Sequence, residues 1–318
     1  MNKTVPVIAF LILAIMAVLI VGFAAYQALT TQVIFGVILA VLFLGLLFGL
    51  YNESKSLSSC VADNLFSQKN LINAGCVLIG ALVTYALDYE LKLGAVVAAG
   101  AVGLAAGLFV KDNAAALYTG AFIGMASKTV LPSYPQVIVA GVLAGIIYVM
   151  ALTVCGGLGG KLGTMAVTGV VVTALGLGTG FAKPAAVPPW SIGWEIVVAA
   201  VVGAVAAYYI NNNMKKGPVI GSAVVGLAGG LIALLFKTIP NIGTLATVII
   251  CASFAGMSNT KRVPTMLRMA IVGVALGLVY IFDTPFLGGA GGKLGLMAFG
   301  SNMAIRGLAD AWTQFGKK

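Results

Sequence analysis

Histidine is absent from all 318 residues, and Asp and Glu number only eight against 18 Lys and Arg. Without histidine there is no bis-histidine haem, no histidine-ligated zinc and no Ser-His-Asp triad. Charged residues of every kind make up 8% of the chain. A soluble domain covers its surface with roughly 25% charged residues, so this chain must turn an apolar surface to lipid. Its four cysteines, Cys60, Cys76, Cys155 and Cys251, are scattered without a close pair, which argues against a metal site or a redox dithiol. A P-loop and a dinucleotide fingerprint are also missing. No catalytic residue set, metal ion or cofactor is expected, and the chain does not read as an enzyme.

What it has in abundance is apolar sequence: 61% of residues, with a mean hydropathy of +1.10. Apolar windows of about 20 residues recur from end to end, which suits spanning helices better than a β-barrel. The expected fold is an all-α polytopic integral membrane protein with segments at 5–27, 32–50, 73–88, 94–110, 114–127, 135–154, 162–181, 193–210, 218–236, 241–257, 266–286 and 294–310. The first run, Val5 to about Tyr26, is longer than the roughly 7–15-residue core of a signal peptide and is read as a retained helix. Residues 52–72, with Ser54, Lys55, Asp63, Asn64 and Lys69, are the one long polar connection. They are expected at the cytoplasmic interface as a short amphipathic helix. Trp190 and Trp194, beside Pro184, Pro188 and Pro189, suit the headgroup level.

Within this apolar background the octapeptide Gly-Gly-Xaa-Gly-Gly-Lys-Leu-Gly occurs twice, at 156–163 and 288–295. The same shift of 132 residues lays Gly124-Met125 on Gly256-Met257, Pro132 on Pro264, Gly145 on Gly277, Tyr148 on Tyr280 and Met165-Ala166 on Met297-Ala298. Upstream, 103–107 nearly matches 226–230 at a shift of 123. The chain therefore reads as two N-terminal helices with a cytoplasmic loop (1–72) and two five-segment repeats (73–185 and 186–318). Five crossings between the two motif lysines make the copies inverted. With the N-terminus inside, Lys3, Lys55, Lys69, Lys111, Lys215, Lys216, Lys261, Arg262, Arg268, Arg306, Lys317 and Lys318 fall inside, against Lys92, Lys128, Lys183 and Lys237 outside. That is the positive-inside bias, and it accounts for the net charge of +10 without a nucleic-acid partner. A prokaryotic plasma (inner) membrane with both termini cytoplasmic follows. If 114–127 and 241–257 instead re-enter from one side, the copies become parallel.

Four glycines in five residues destabilise a helix interior by about 1 kcal/mol each, so Gly156, Gly157, Gly159 and Gly160, like Gly288, Gly289, Gly291 and Gly292, predict a break. A helix follows from Lys161 or Lys293. Its free amides and positive dipole end suit an anion, and a lysine there calls for a negative partner, for which a solute is one candidate. Thr164 offers a further hydroxyl donor. The competing reading makes each motif an interfacial loop, with glycines for close helix contact and a snorkelling lysine.

Asp283, ten residues before Lys293, has neutral Ala151 as its counterpart; it suits ion coupling, pairing with Lys293 or capping a turn. Ser301 and Asn302 suit hydrogen bonds between helices. Pro132 and Pro264 are expected to set the first turn of a helix. Tyr148 and Tyr280 suit either a pore lining or aromatic packing.

Two functions fit. One is a channel or secondary transporter for a small polar or anionic solute, with its site between the repeats at the glycine motifs. The alternative is a non-transporting scaffold or anchor subunit of a larger complex. The bilayer and a small solute are the expected partners; a homo-oligomer and membrane-complex subunits stay open. A five-plus-five repeat with a glycine-led helix start is similar in outline to the urea-transporter architecture. That family's proline-rich half-helix motifs are not visible here, and the similarity assigns no residue.

Overall fold

The computed structural model describes residues 3–62 and 64–316; Asp63, Lys317 and Lys318 lie outside them. The described residues contain no β-strand and form twelve α-helices, one for each apolar segment. They are α1 (Thr4–Thr31), α2 (Val33–Lys55), α3 (Gln68–Tyr89), α4 (Ala95–Phe109), α5 (Ala114–Gly124) and α6 (Tyr134–Met150). The remainder are α7 (Lys161–Leu177), α8 (Trp190–Tyr208), α9 (Pro218–Leu235), α10 (Ile242–Ala255), α11 (Met266–Asp283) and α12 (Lys293–Phe315). Six of them, α1, α2, α3, α8, α9 and α11, are long and apolar enough to cross a membrane. Helices this apolar on every face belong in lipid or in a protein interior.

Polar residues decide where the helices begin. Ser67 Oγ accepts from Asn70 N at 3.3 Å and caps α3. Thr265 Oγ1 accepts from Arg268 N at 3.1 Å and caps α11. Pro132 and Pro264 stand one residue before the caps Ser133 and Thr265, so they fix the approach to α6 and α11 and not the first turn. The polar connection is no amphipathic helix: α2 continues to Lys55, a 3₁₀ turn covers Ser56–Ser59, and α3 begins at Gln68.

Helix α5 has only 11 residues and is enclosed along nearly its whole length. At about 1.5 Å per residue it is too short to cross alone. It lies alongside α3 in the same direction, with Gly120 on the Val77–Ala81 backbone and Gly124 on Ala81–Tyr85. Asn113 Nδ2 bonds Asn73 Oδ1 (2.9 Å) near the start of α3, and Tyr89 Oη bonds Ala126 O (3.0 Å) at its end. The segment with its flanking turns thus travels most of α3 and does not turn back.

The two five-helix sets pack alike. α3 lies on α5 and α6, as α8 lies on α10 and α11, and α4 meets α9 between the sets. Tyr85 Oη donates to Leu131 O (3.0 Å), and 123 and 132 residues later Tyr208 Oη donates to Val263 O (2.5 Å). The sets start at opposite ends of α2. α3 follows its C-terminal turn, whereas Trp190, opening α8, donates from Nε1 to Gln32 Oε1 and stacks on Phe35 at its N-terminal end.

Candidate functional site

Both glycine motifs form the predicted break. Gly157, Gly160, Gly289 and Gly292 have φ of 76°, 85°, 75° and 87°, backbone conformations that an L side chain resists. α7 and α12 start directly after Gly160 and Gly292 and cross each other antiparallel at their first turns. At the crossing, a Cβ on Gly163 would lie 2.6 Å from the Gly295 Cα, and one on Gly295 would lie 2.6 Å from the Gly163 Cα. The contact is thus its own image under the 132-residue shift.

The surroundings are reciprocal. Asn259 N donates to Gly157 O (3.0 Å), while the corresponding Ser127 N donates to Gly289 O (2.9 Å). Gly159 packs on the Phe254 and Ala255 carbonyls as Gly291 packs on those of Phe122 and Ile123. The rings of Phe122 and Phe254, again 132 apart, sit 4.4 Å centroid to centroid. Each motif is therefore held by the other set of helices through its buried half, Gly159 and Gly160 or Gly291 and Gly292, while Gly156, Gly157 and Gly289 are exposed.

The lysines find their negative partners inside the protein. Lys161 Nζ donates to Ala151 O at 2.6 Å, and Lys293 Nζ donates to the corresponding Asp283 O at 2.7 Å. Lys293 also donates to Thr284 O (3.4 Å) and to Phe286 O. These carbonyls close α6 and α11, where the helix dipole is negative. Each lysine thus ties the end of one helix to the start of the next. This explains a cation in a first turn without requiring a bound solute. Asp283, fully buried, approaches Lys293 at 3.6 Å through Oδ2.

Other predicted residues divide. Thr164 is buried and its hydroxyl donates to Gly160 O (3.2 Å), so it serves its own helix. Asn302 Nδ2 donates to Gly159 O and Ala255 O, both 3.3 Å, joining α12 to the first motif and α10.

A cavity lies beside each motif. The first, about 260 Å³, is bordered by Gly156, Gly157, Gly160 and Lys161 of its own set, with Tyr148, and by Pro218, Val219 and Met257 of the other. The second, about 210 Å³, is bordered by Gly289, Gly292 and Lys293, with Ala95, Val96 and Met125 from the other set. These are corresponding positions: Pro218 and Val219 follow Ala95 and Val96 by 123, and Met257 follows Met125 by 132. No acidic residue borders either cavity among the described residues, and each has one lysine. A further space of about 360 Å³ adjoins the second through Ala95, Val96 and Thr247 and extends to Lys237. Gly288, Thr164 and Asp283 border neither motif cavity, nor does Tyr280 border the second.

One cluster has no precedent in the sequence reading. Glu53, near the end of α2 and 3% exposed, takes Arg262 in a two-pronged pair (2.7 Å each) and Arg306 at 2.6 Å. Arg262 Nε also donates to Gly156 O at 2.7 Å. The N-terminal pair is thereby fastened to the α10–α11 connection, the first motif and α12. The only available signal was a lone acid at the end of a spanning segment.

No protein-family model matches the chain, and no curated protein or solved structure matches it either, so the outline similarity to urea transporters has no structural match behind it.

Proposed function

We propose that the chain is a membrane transport protein for a small polar or anionic solute, built from two inverted copies, 73–185 and 186–318, after an N-terminal unit, 1–72. The inverted reading is supported by the opposite starting points of α3 and α8, by the way 114–133 follows most of α3 without turning back and by the self-imaged contact at Gly163 and Gly295. In such a build the symmetry axis lies in the membrane plane and the site falls near mid-depth between the copies. The bias of basic residues toward one side supports cytoplasmic termini in a prokaryotic plasma membrane.

The observation that carries the reading is the pair of equivalent cavities, each with one lysine and no acid. Each is walled by both copies, so a relative movement of the copies would open one and close the other. The α7–α12 crossing brings the two motifs into contact at Gly163 and Gly295, and the two cavities share no lining residue, so this conformation is closed at the centre. Its lysine-only charge favours anions over cations. Proteoliposomes loaded in turn with chloride, nitrate, phosphate, urea and glycerol test the proposal. Selective flux of an anion supports it.

The tight packing of Gly159, Gly160, Gly291 and Gly292 favours the second reading, a scaffold subunit. Absence of flux for every solute from a folded sample, with co-purifying membrane subunits, would establish that one.

A further inference from the structure

Asp283 is a buried acid whose carboxylate makes one ion pair, with Lys293, and no hydrogen bond. Its relative exposure is 0%, and neither Oδ1 nor Oδ2 has a hydrogen-bond partner. Lys293 faces Oδ2 at 3.6 Å, beyond hydrogen-bond distance. An ammonium has three donors, and those of Lys293 already have three main-chain acceptors, on Asp283, Thr284 and Phe286.

The first copy is an internal control. There Lys161 makes the same bond to position 151, which is alanine. The lysine therefore needs no carboxylate to hold its place. A carboxylate kept inside a membrane protein, where the equivalent lysine holds its place without one, marks an ion pathway.

The surroundings narrow the ion. Lys293 on α12 is the charged group facing Asp283; Cys251 on α10 lies near both, and Tyr280 on α11 lies near Cys251. α1, α2 and α8 contribute the rings of Phe23, Phe35 and Trp190, which pack on Phe286, on Phe282 and on one another. The carbonyl oxygens of Asp283, Thr284 and Phe286 beside the carboxylate are taken by the Lys293 ammonium, and no group of three or more His, Cys, Asp or Glu that could hold a metal ion occurs among the described residues.

We propose that Asp283 is a proton-binding site that couples anion entry at Lys293 to uptake of a proton, an inference that rests on the transport reading above. Before binding, the Lys293 ammonium and the Asp283 carboxylate sum to zero charge. A monovalent anion reaching Lys293 from the second cavity adds one negative charge. A proton forming an O–H bond on an Asp283 oxygen restores zero. No bond in the anion breaks, and release reverses both steps. The first copy, with Ala151, binds no proton.

The test uses the full chain in proteoliposomes with entrapped pyranine and inward gradients of chloride or nitrate, anion content being measured separately. Wild type is expected to acidify the lumen by one proton per anion. Asp283→Asn is expected to keep anion movement and lose acidification. Anion movement in wild type without acidification, or equal acidification by Asp283→Asn, overturns the coupling alone. No anion movement in wild type overturns the transport reading and the coupling with it. Infrared difference spectra of the purified protein in detergent give a check that needs no transport, the variant's fold being verified by its unfolding temperature. A carboxylic C=O band that titrates in wild type and is missing from Asp283→Asn supports the site, and its presence in both assigns it elsewhere.

Discussion

The crossing of α7 and α12 yields a prediction with an internal control in the same helix. Replacing Gly163 by alanine puts a methyl carbon 2.6 Å from the Gly295 Cα and 2.9 Å from the Gly292 carbonyl oxygen. Favourable carbon contacts lie near 3.5–4.0 Å, so the helices must separate by about 1 Å. The obstacles are main chain, so no side chain can rotate away. Overpacking of this kind destabilises by about 1–3 kcal/mol, a large part of a total stability of about 5–15 kcal/mol. Gly176, between three and four turns further along α7, has nothing within 4 Å of a built Cβ. There the same substitution gains helix propensity, up to about 1 kcal/mol. Thermal unfolding in detergent should therefore rank Gly176→Ala at or above wild type and Gly163→Ala below it. Gly295→Ala should match Gly163→Ala, and the double variant should depart from additivity, because each methyl enters the other's space. If Gly163→Ala unfolds at or above the wild-type temperature, the close crossing is wrong.

Glu53→Gln removes one charge from a pair of arginines that are 19% and 22% exposed. Breaking a fully buried pair costs about 3–5 kcal/mol; this partly wet cluster should lose about 2 kcal/mol, and a Glu53/Arg262 double-mutant cycle should couple by about 1–2 kcal/mol. Asp283→Ala makes the second copy resemble the first at Ala151, and its unfolding should stay within about 1 kcal/mol of wild type, since Lys293 retains its carbonyls. Single cysteines at Val219 and Val96, in a background lacking the four native thiols, should react with an impermeant maleimide from opposite faces of oriented vesicles; labelling from one face would refute the inverted build.

The helices were legible because a bilayer demands long apolar runs, and twelve runs became twelve helices. Even the short 114–127 run was found, although its role was not. Its brevity reflects enclosure by α3, α4 and α7, a packing fact that hydropathy does not carry. The motifs were legible because one offset of 132 residues joins Pro, Tyr, Met and Lys positions too unlike one another to match by composition. The lysine partners were not, since main-chain carbonyls at Ala151 and Asp283 leave no mark on residue identity. Nor was the Glu53 cluster, whose partners lie 209 and 253 positions away, beyond any local pattern. The mutual contact of the motifs depends on how the two five-helix sets pair in space, which the 132-residue offset does not carry.

The most direct measurement is anion against urea flux through proteoliposomes of wild type and of Lys161→Met/Lys293→Met. A charge-assisted contact is worth about 1.5–3 kcal/mol. Removing the cations should therefore lower anion flux by about 10–100-fold, and urea flux should be little altered. Anion flux that is robust in wild type and undiminished in the double variant would contradict the placement of the solute path at the glycine motifs.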